Sequence, residues 1–296
     1  MTAHFGDRLS AALTSTGTPL CVGIDPHMAL MPSFFCEAGQ VTIKGLRQFS
    51  MNVIEAASGL VPAVKPQAAM FEAFGPEGVA VLCEITKAAR KAGLLVIMDA
   101  KRGDIGSTSA AYAQAYLGAD APFPSDALTI NPWMGLDTLM PFIDRAKATG
   151  SGLFILVRTS NDGAADLQEL ETDGALVYQK LAQKIAPLIE DENGDSGLSS
   201  FGIVAGATVP EQAEALRALL PTAPFLIPGF GAQGAGPAHA TIALSKDKGV
   251  FQGGLVNSSR AIIFCDDAQK AQKNKAHIDA MRTAIHDQIA LLNSAL

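Results

Sequence analysis

Short apolar runs recur along the chain, and most are followed by a segment in which apolar residues return every three or four positions. Continuous apolar runs predict strands that are covered on both faces, and the longer spacing predicts amphipathic helices. The predicted strands are Cys21–Ile24, Val61–Val64, Leu94–Met98, Ala127–Ile130, Gly152–Val157, Phe201–Ala205, Phe225–Ile227 and Gly254–Val256. Helical spacing is clearest after Pro76 and before Gly150.

Strands that alternate with helices predict a parallel sheet with right-handed crossovers. Eight such units most economically close into a (β/α)8 TIM barrel, and we expect a single domain over residues 1–296. An open doubly wound sheet is the alternative. Apolar positions after Asp267 predict a long C-terminal helix that closes the barrel or packs across a partner, and Glu190–Ser200 is predicted to be an exposed loop.

Nearly every predicted strand ends in polar or turn residues. These ends are Asp25-Pro26, Lys65-Pro66-Gln67, Asp99-Ala100-Lys101, Asn131-Pro132, Arg158-Thr159-Ser160, Gly206-Ala207-Thr208, Pro228-Gly229 and Asn257-Ser258-Ser259-Arg260. In a barrel they share one rim, which is where such barrels hold their active sites. The pattern therefore predicts an active site built from several strands.

Composition narrows the class of protein. The chain has 296 residues, of which 48% are hydrophobic and 17% charged, and one barrel of about 250 residues fits that length. The net charge of -7 and the single tryptophan argue against a nucleic-acid surface. Four cysteines without C-x-x-C spacing indicate reduced thiols. With no targeting segment and no long apolar stretch, we expect a cytoplasmic protein that does not bind a membrane.

The segment D-A-K-R-G-D-I-G-S-T, which begins at Asp99, concentrates charge at the end of an apolar strand. Strand alternation places Asp99 and Lys101 on the same face, and Asp104 follows the turn at Gly103. We expect a buried lysine between two acids. Flanking carboxylates raise the pKa of a lysine, so Lys101 is predicted to donate a proton, not to form a Schiff base. A structural ion pair is the alternative.

A phosphate site is predicted after the seventh strand. Residues 229–234 match G-x-G-x-x-G, but they come late in the chain and a loop of Gly, Ala and Pro follows them, unlike a dinucleotide fingerprint. Backbone N–H groups of this loop are better suited to a phosphate, and Arg260 supplies a fork of further donors. The five histidines lack metal-ligand spacing, so no metal site is expected.

Four segments in order along the chain together resemble the orotidine 5'-phosphate decarboxylase family, most of all its longer bacterial branch, the type 2 subfamily. They are Val22-Gly23-Ile24-Asp25-Pro26, Val64-Lys65-Pro66-Gln67 with Phe71-Glu72, Asp99-Ala100-Lys101-Arg102-Gly103-Asp104-Ile105, and Pro228-Gly229-Phe230-Gly231-Ala232-Gln233-Gly234, with Arg260 after them. The D-x-K-x-x-D element is the most specific of them. The first twenty residues and the terminal helix add nothing to the resemblance.

The resemblance implies that orotidine 5'-monophosphate is converted to uridine 5'-monophosphate (UMP) and carbon dioxide, the last step of de novo pyrimidine synthesis, without a cofactor or a metal. By family likeness Lys101 protonates carbon 6 and Asp99 lies beside the substrate carboxylate. The other residues carried over are Asp25 and Lys65 at the ribose hydroxyls, Ser160 at the pyrimidine, Gln233 and Arg260 at the phosphate, and Asp104 and Thr108 reaching into the partner's site of a homodimer.

Three other functions remain open at this point. A related barrel could decarboxylate or epimerise a sugar phosphate through a metal-stabilised enediolate, since such enzymes share the D-x-K-x-x-D strand. A Schiff-base aldolase could use Lys65 or Lys101, although the flanking acids disfavour Lys101. The third is a phosphate-binding barrel with an idle site. The role of the insertion Gly236–Gly249 is not evident from the sequence.

Overall fold

Eight parallel strands close into a barrel in the computed structural model, which describes residues 3–231 and 236–296. The barrel strands, β1 to β8 in chain order, are Leu20–Ile24, Ala63–Pro66, Leu95–Arg102, Ala127–Ile130, Gly152–Arg158, Phe201–Ala205, Phe225–Ile227 and Gly254–Ser258. Each overlaps a strand predicted from the apolar runs. Strands that are neighbours in sequence are neighbours in the barrel, and β1 closes it against β8 with Leu20 opposite Val256. The (β/α)8 prediction is confirmed, and the open-sheet alternative is wrong.

Helices surround the barrel. In chain order α1 to α13 are Phe5–Thr16, Ile43–Ala57, Ala68–Glu72, Gly75–Lys91, Gly106–Tyr116, Met140–Thr149, Ala165–Gln168, Val177–Glu190, Pro210–Leu219, Pro237–Thr241, Arg260–Ile263, Asp266–Lys270 and Asn274–Asn293. Turns of 3-10 helix span Met28–Leu30, Ser33–Phe35, Leu136–Leu139 and Asp162–Ala164. Two-stranded hairpins pair Cys36–Glu37 with Gln40–Val41, Glu171–Thr172 with Ala175–Leu176, and Ser245–Asp247 with Val250–Gln252. Within the described ranges, no helix has the length and apolar character to span a membrane.

The core has two parts. The larger lies between the strands and the surrounding helices. The smaller fills the barrel interior and includes Phe5, Leu9 and Leu13 of α1. Phe5 packs edge-on against Phe154 at 6.1 Å between ring centroids, so α1 covers the amino end of the barrel. The carboxyl end is the one left for a site.

The C-terminal segment packs on its own chain. It forms α12 and the long helix α13, which contacts α2. His277 of α13 is fully buried, with the rings of Phe34, Phe35 and Phe49 at 5.1–5.8 Å, and its Nδ1 lies 3.3 Å from Nδ2 of Asn52. The helix therefore belongs to the barrel's outer layer.

One loop prediction needs refinement. The loop Glu190–Ser200 is present after α8, but Leu198, Ser199 and Ser200 at its end are buried where an exposed loop was expected. Their burial follows from contact with α1, since a Cβ on Gly6 would meet the carbonyl of Leu198. The insertion Gly236–Gly249, whose role is not evident from the sequence, holds α10 and the first strand of the last hairpin.

Candidate active site

A cavity of about 420 Å³ opens at the carboxyl end of the barrel. Every strand, or the residues directly after it, contributes to its lining. Of the residues predicted for the site, those that line it are Asp25, Lys65, Asp99, Lys101, Ser160 and Arg260. Asp104 and Thr108 are not among the lining residues of this cavity, and Gln233 lies outside the described residues.

The Asp99 carboxylate is the centre of the site. Its Oδ1 accepts from Nζ of Lys101 at 2.5 Å and from Oγ1 of Thr129 at 3.1 Å. Its Oδ2 accepts from Nζ of Lys65 at 2.8 Å and from Nε2 of Gln67 at 3.1 Å. A carboxylate has about four lone-pair sites, so all of them are used and the group is held in one orientation.

Charge in this network is stabilised by opposite charge. Burial disfavours ionisation of Asp99, but the ammonium groups of Lys65 and Lys101 outweigh it and lower the pKa of Asp99. Burial likewise opposes the charge on Lys65, and the carboxylates of Asp99 and Asp25 outweigh it and raise the pKa of Lys65. Nζ of Lys65 lies 3.9 Å from Oδ1 of Asp25. The site therefore presents alternating fixed charges to the cavity.

The buried lysine between two acids is Lys65, not Lys101 as the sequence led us to expect. The side chain of Lys65 is 5% exposed, whereas that of Lys101 is 47% exposed. Lys101 pairs with Asp99, while Oδ1 of Asp104 accepts from the backbone N–H of Ile105. The expectation was wrong because Lys101 lies in an irregular stretch of β3, where its side chain is half exposed.

A bulge in β3 brings Lys101 back over the site. The pairing of β3 with β4 passes from Met98 opposite Leu128 directly to Arg102 opposite Ile130, so residues 99–101 face Thr129 alone. Lys101 has a positive φ of 48°, a left-handed conformation that is strained for a residue with a side chain. Simple alternation along a strand does not predict this backbone.

Sequence reasoning missed Thr129 and the apolar lining residues Leu156, Val204 and Leu226. Gln67 and Asn257, which also line the cavity, were expected at the rim but were given no individual role. Thr129 lies inside a predicted strand, so it gave no signal at a strand end. Asn257 is 9% exposed, and its Oδ1 has no hydrogen-bond partner in the described part of the chain. An unpaired buried acceptor inside a cavity is available to a ligand's N–H or O–H group.

The barrel closure shapes one wall of the cavity. Oγ of Ser259, which follows β8, lies where a side chain on Gly23 of β1 would stand, since an added Cβ would be 1.9 Å away. The same Cβ would be 3.3 Å from Oδ2 of Asp25. Only glycine at position 23 leaves room for Ser259 beside Asp25.

The loop after β5 is fixed by Arg158. Its Nη2 donates to Oε1 of Glu169 at 2.6 Å and its Nε donates to Oε1 of Gln212 at 2.5 Å. Gln168 bonds both the backbone N–H and the hydroxyl of Thr159, at 2.9 and 2.8 Å. These contacts place Thr159, Ser160 and Asn161 against the cavity.

The far end of the cavity suits an anion. Gly229, with φ at 104°, and Phe230 line it beside Arg260. The side chain of Arg260 is exposed to the opening, and a guanidinium presents several N–H donors in one plane. The phosphate site expected at this end stays a prediction.

The fold and the site together define a (β/α)8-barrel enzyme with alternating carboxylates and lysines in a cavity that an arginine also lines. A family model described as orotidine 5'-phosphate decarboxylase / HUMPS matches residues 18–274. The chain belongs to this family.

Relatives of known name support the assignment. The orotidine 5'-phosphate decarboxylase of Rhodopirellula baltica is 41% identical over 292 residues, 95% of this chain and 96% of that protein. The protein of the same name from Streptomyces coelicolor is 46% identical over 79% of this chain and 81% of its own. A crystal structure from Streptomyces avermitilis, described as an orotidine 5'-phosphate decarboxylase, superimposes on this chain with a TM-score of 0.81 and 39% sequence identity. The match covers 99% of this chain and 96% of that one.

Proposed function

We propose that this protein catalyses the decarboxylation of orotidine 5'-monophosphate to UMP and carbon dioxide, the last step of de novo pyrimidine synthesis, in the cytoplasm. The observation that carries the proposal is the Asp99 carboxylate with a lysine ammonium on each oxygen, inside a cavity that ends at Arg260. The family and its named relatives point to the same substrate.

Lys101 is the proposed proton donor. When the bond between C6 and the carboxylate carbon breaks, the electron pair stays on C6 and carbon dioxide leaves. Nζ of Lys101 then gives a proton to C6 and regains one from solvent, which its half-exposed side chain can reach. A fixed ammonium near C6 stabilises the developing carbanion more than mobile water can. The reaction needs no metal or cofactor.

Asp99 has two proposed roles. Its carboxylate holds Lys101 at 2.5 Å, and it lies beside the substrate carboxylate, so two negative charges face each other in the bound state. That repulsion is relieved as carbon dioxide leaves, and binding energy from distant parts of the substrate offsets it. The donors on both oxygens of Asp99 keep it ionised while the substrate binds.

The remaining lining residues are assigned to the rest of the nucleotide. Asp25 and Lys65 hold the ribose hydroxyls, and Ser160 contacts the pyrimidine ring. Arg260 binds the phosphate, with Gln233 as the second phosphate ligand. Because phosphate binding supplies energy that is used at C6, loss of Arg260 is expected to lower kcat as well as raise KM.

A homodimer is also proposed, in which Asp104 and Thr108 complete the partner's site. Both lie on the rim just past Lys101 but outside this chain's own cavity. Exposed apolar side chains occur in the segments after β3 and β4: the exposed fractions are 62% for Ile105, which follows Asp104, and 71% for Trp133. Met134 and Met140 are 47% and 40% exposed, and α6, which begins at Met140, packs against α5. Exposed apolar patches of this kind mark association surfaces, and a second copy is the proposed occupant.

Absorbance of orotidine 5'-monophosphate in the ultraviolet, followed in excess chelator, tests the activity. The wild type is expected to consume the substrate, and Lys101→Ala is expected to lose about 10²- to 10⁴-fold in kcat. No consumption by the wild type would contradict the proposal, and magnesium-dependent turnover of a sugar phosphate would replace it with the related barrel reaction.

Mixing two inactive variants tests the shared site. Lys101→Ala and Asp104→Ala each disable both sites of their own homodimer. A heterodimer contains one site with both wild-type residues, so mixed proteins are expected to recover activity. Absence of recovery, with heterodimers shown to form by differently tagged chains, would contradict the role of Asp104 across the interface.

A further inference from the structure

We infer that Thr129 of β4 is a positioning residue for the reaction, because its single hydroxyl fixes both the Lys101 backbone and the Asp99 carboxylate. This inference rests on the proposed roles of Lys101 and Asp99. Thr129 lies on the strand next to β3 and is buried in the cavity wall.

The hydroxyl replaces the strand pairing that the bulge removes. In a regular parallel pair, backbone groups of β4 would bond those of β3, but residues 99–101 have only Thr129 opposite them. Oγ1 of Thr129 accepts from the backbone N–H of Ala100 at 3.1 Å and from that of Lys101 at 2.9 Å. Buried N–H groups without an acceptor are costly, so this oxygen makes the bulge stable.

The same hydroxyl also donates to the catalytic carboxylate. Oγ1 of Thr129 lies 3.1 Å from Oδ1 of Asp99, and the carbonyl oxygen of Met98, at 3.4 Å, is a longer alternative acceptor. A threonine hydroxyl has one hydrogen and two lone pairs, and all three are used here. No purely apolar side chain at position 129 can make these contacts.

The arrangement explains how a strained conformation persists. Lys101 has φ at +48°, and such strain lasts only where the surroundings fix it. Lys101 is held at its backbone N–H, which donates to Thr129, and at Nζ, which donates to Asp99. Thr129 makes the first of these bonds itself, and it orients the Asp99 carboxylate that makes the second.

The test compares Thr129→Val, which keeps the shape without the hydroxyl, with Thr129→Ser, which keeps the hydroxyl. We expect Val to lower kcat about 10- to 100-fold, because misplacing a catalytic group by about 1 Å has effects of that size. KM and the Kd for UMP are expected to change less than about threefold, and Ser is expected to stay within about threefold of wild-type kcat. Thr86→Val, a buried threonine on α4, is the matched control with wild-type kinetics.

Wild-type kcat in a folded Thr129→Val variant would overturn the inference, as would equal losses in Val and Ser. If Lys101→Ala and Asp99→Asn are inactive while Thr129→Val is fully active, only the role of Thr129 fails. If Lys101→Ala is fully active, the proposed mechanism fails instead. Should the Val variant not fold, Thr129→Cys replaces it, with kcat about tenfold below Ser expected and equality overturning the inference.

Discussion

Nζ of Lys65 lies 2.8 Å from Oδ2 of Asp99, and the side chains are 5% and 9% exposed. Lys65→Met removes one of the two ammonium groups that neutralise the buried Asp99 carboxylate, and Lys101 keeps the other. We therefore expect Lys65→Met to lower the free energy of unfolding by about 2–3 kcal/mol, less than the cost of a fully unpaired buried charge. Arg47→Met, which breaks an exposed pair with Glu84, should cost at most about 1 kcal/mol. Urea unfolding of both variants measures the difference, and equal losses would contradict the buried-pair argument.

His277 makes stability depend on pH. Burial lowers its pKa from 6.5 to about 4. Above pH 6.5 the ring is neutral in both the folded and the unfolded state, so His277 does not reduce the free energy of unfolding. As pH falls from 6.5 towards 4, the unfolded chain binds a proton at this ring and the folded chain does not. The free energy of unfolding therefore decreases by roughly 1.4 kcal/mol per pH unit. The variant His277→Gln should lack this contribution to the pH dependence. Urea unfolding of both proteins at pH 7 and pH 5 measures it, and an equal change in the free energy of unfolding in both proteins would contradict the role of His277.

Arg158 holds the loop after β5 through Glu169 and Gln212. Arg158→Met should let Thr159 and Ser160 move away from the cavity. Because Ser160 is assigned to the substrate and not to the proton transfer, we expect KM to rise about tenfold with kcat changed less. Steady-state kinetics beside the Arg47→Met control measure this. A fall in kcat at unchanged KM would place the loop in the chemical step.

Gly23 and Ser259 are in such close contact that the two positions cannot both carry a side chain. Gly23→Ala places a Cβ 1.9 Å from Oγ and 2.9 Å from Cβ of Ser259, and 3.3 Å from Oδ2 of Asp25, so Ser259 must move and the space beside Asp25 becomes crowded. We expect activity to fall about tenfold or more. Adding Ser259→Gly removes the clash and should restore part of the lost activity. Activity assays of the two single variants and of the double variant test this explanation. A double variant no more active than Gly23→Ala would contradict it.

The fold was predictable because each strand is covered on both faces, which makes it a continuous apolar run with a polar end. Lys65, Asp99 and Arg260 were predictable for the same reason, since they stand at such ends. The bulge at Lys101 was not, because it depends on the hydroxyl of a residue in the neighbouring strand. The ion pair of Arg158 with Glu169 depends on how the segment after β5 folds back towards that strand. Neither relationship has a signature in the order of residues along one strand.

Helix α1 closes the amino end of the barrel with Phe5, Leu9 and Leu13. The cavity at the other end is lined by both Lys101 and Arg260. Under the proposed reaction, substrate and UMP occupy this same cavity. One site therefore cannot hold both at once. UMP should act as a purely competitive inhibitor, and accumulating product would slow turnover without any separate regulatory site.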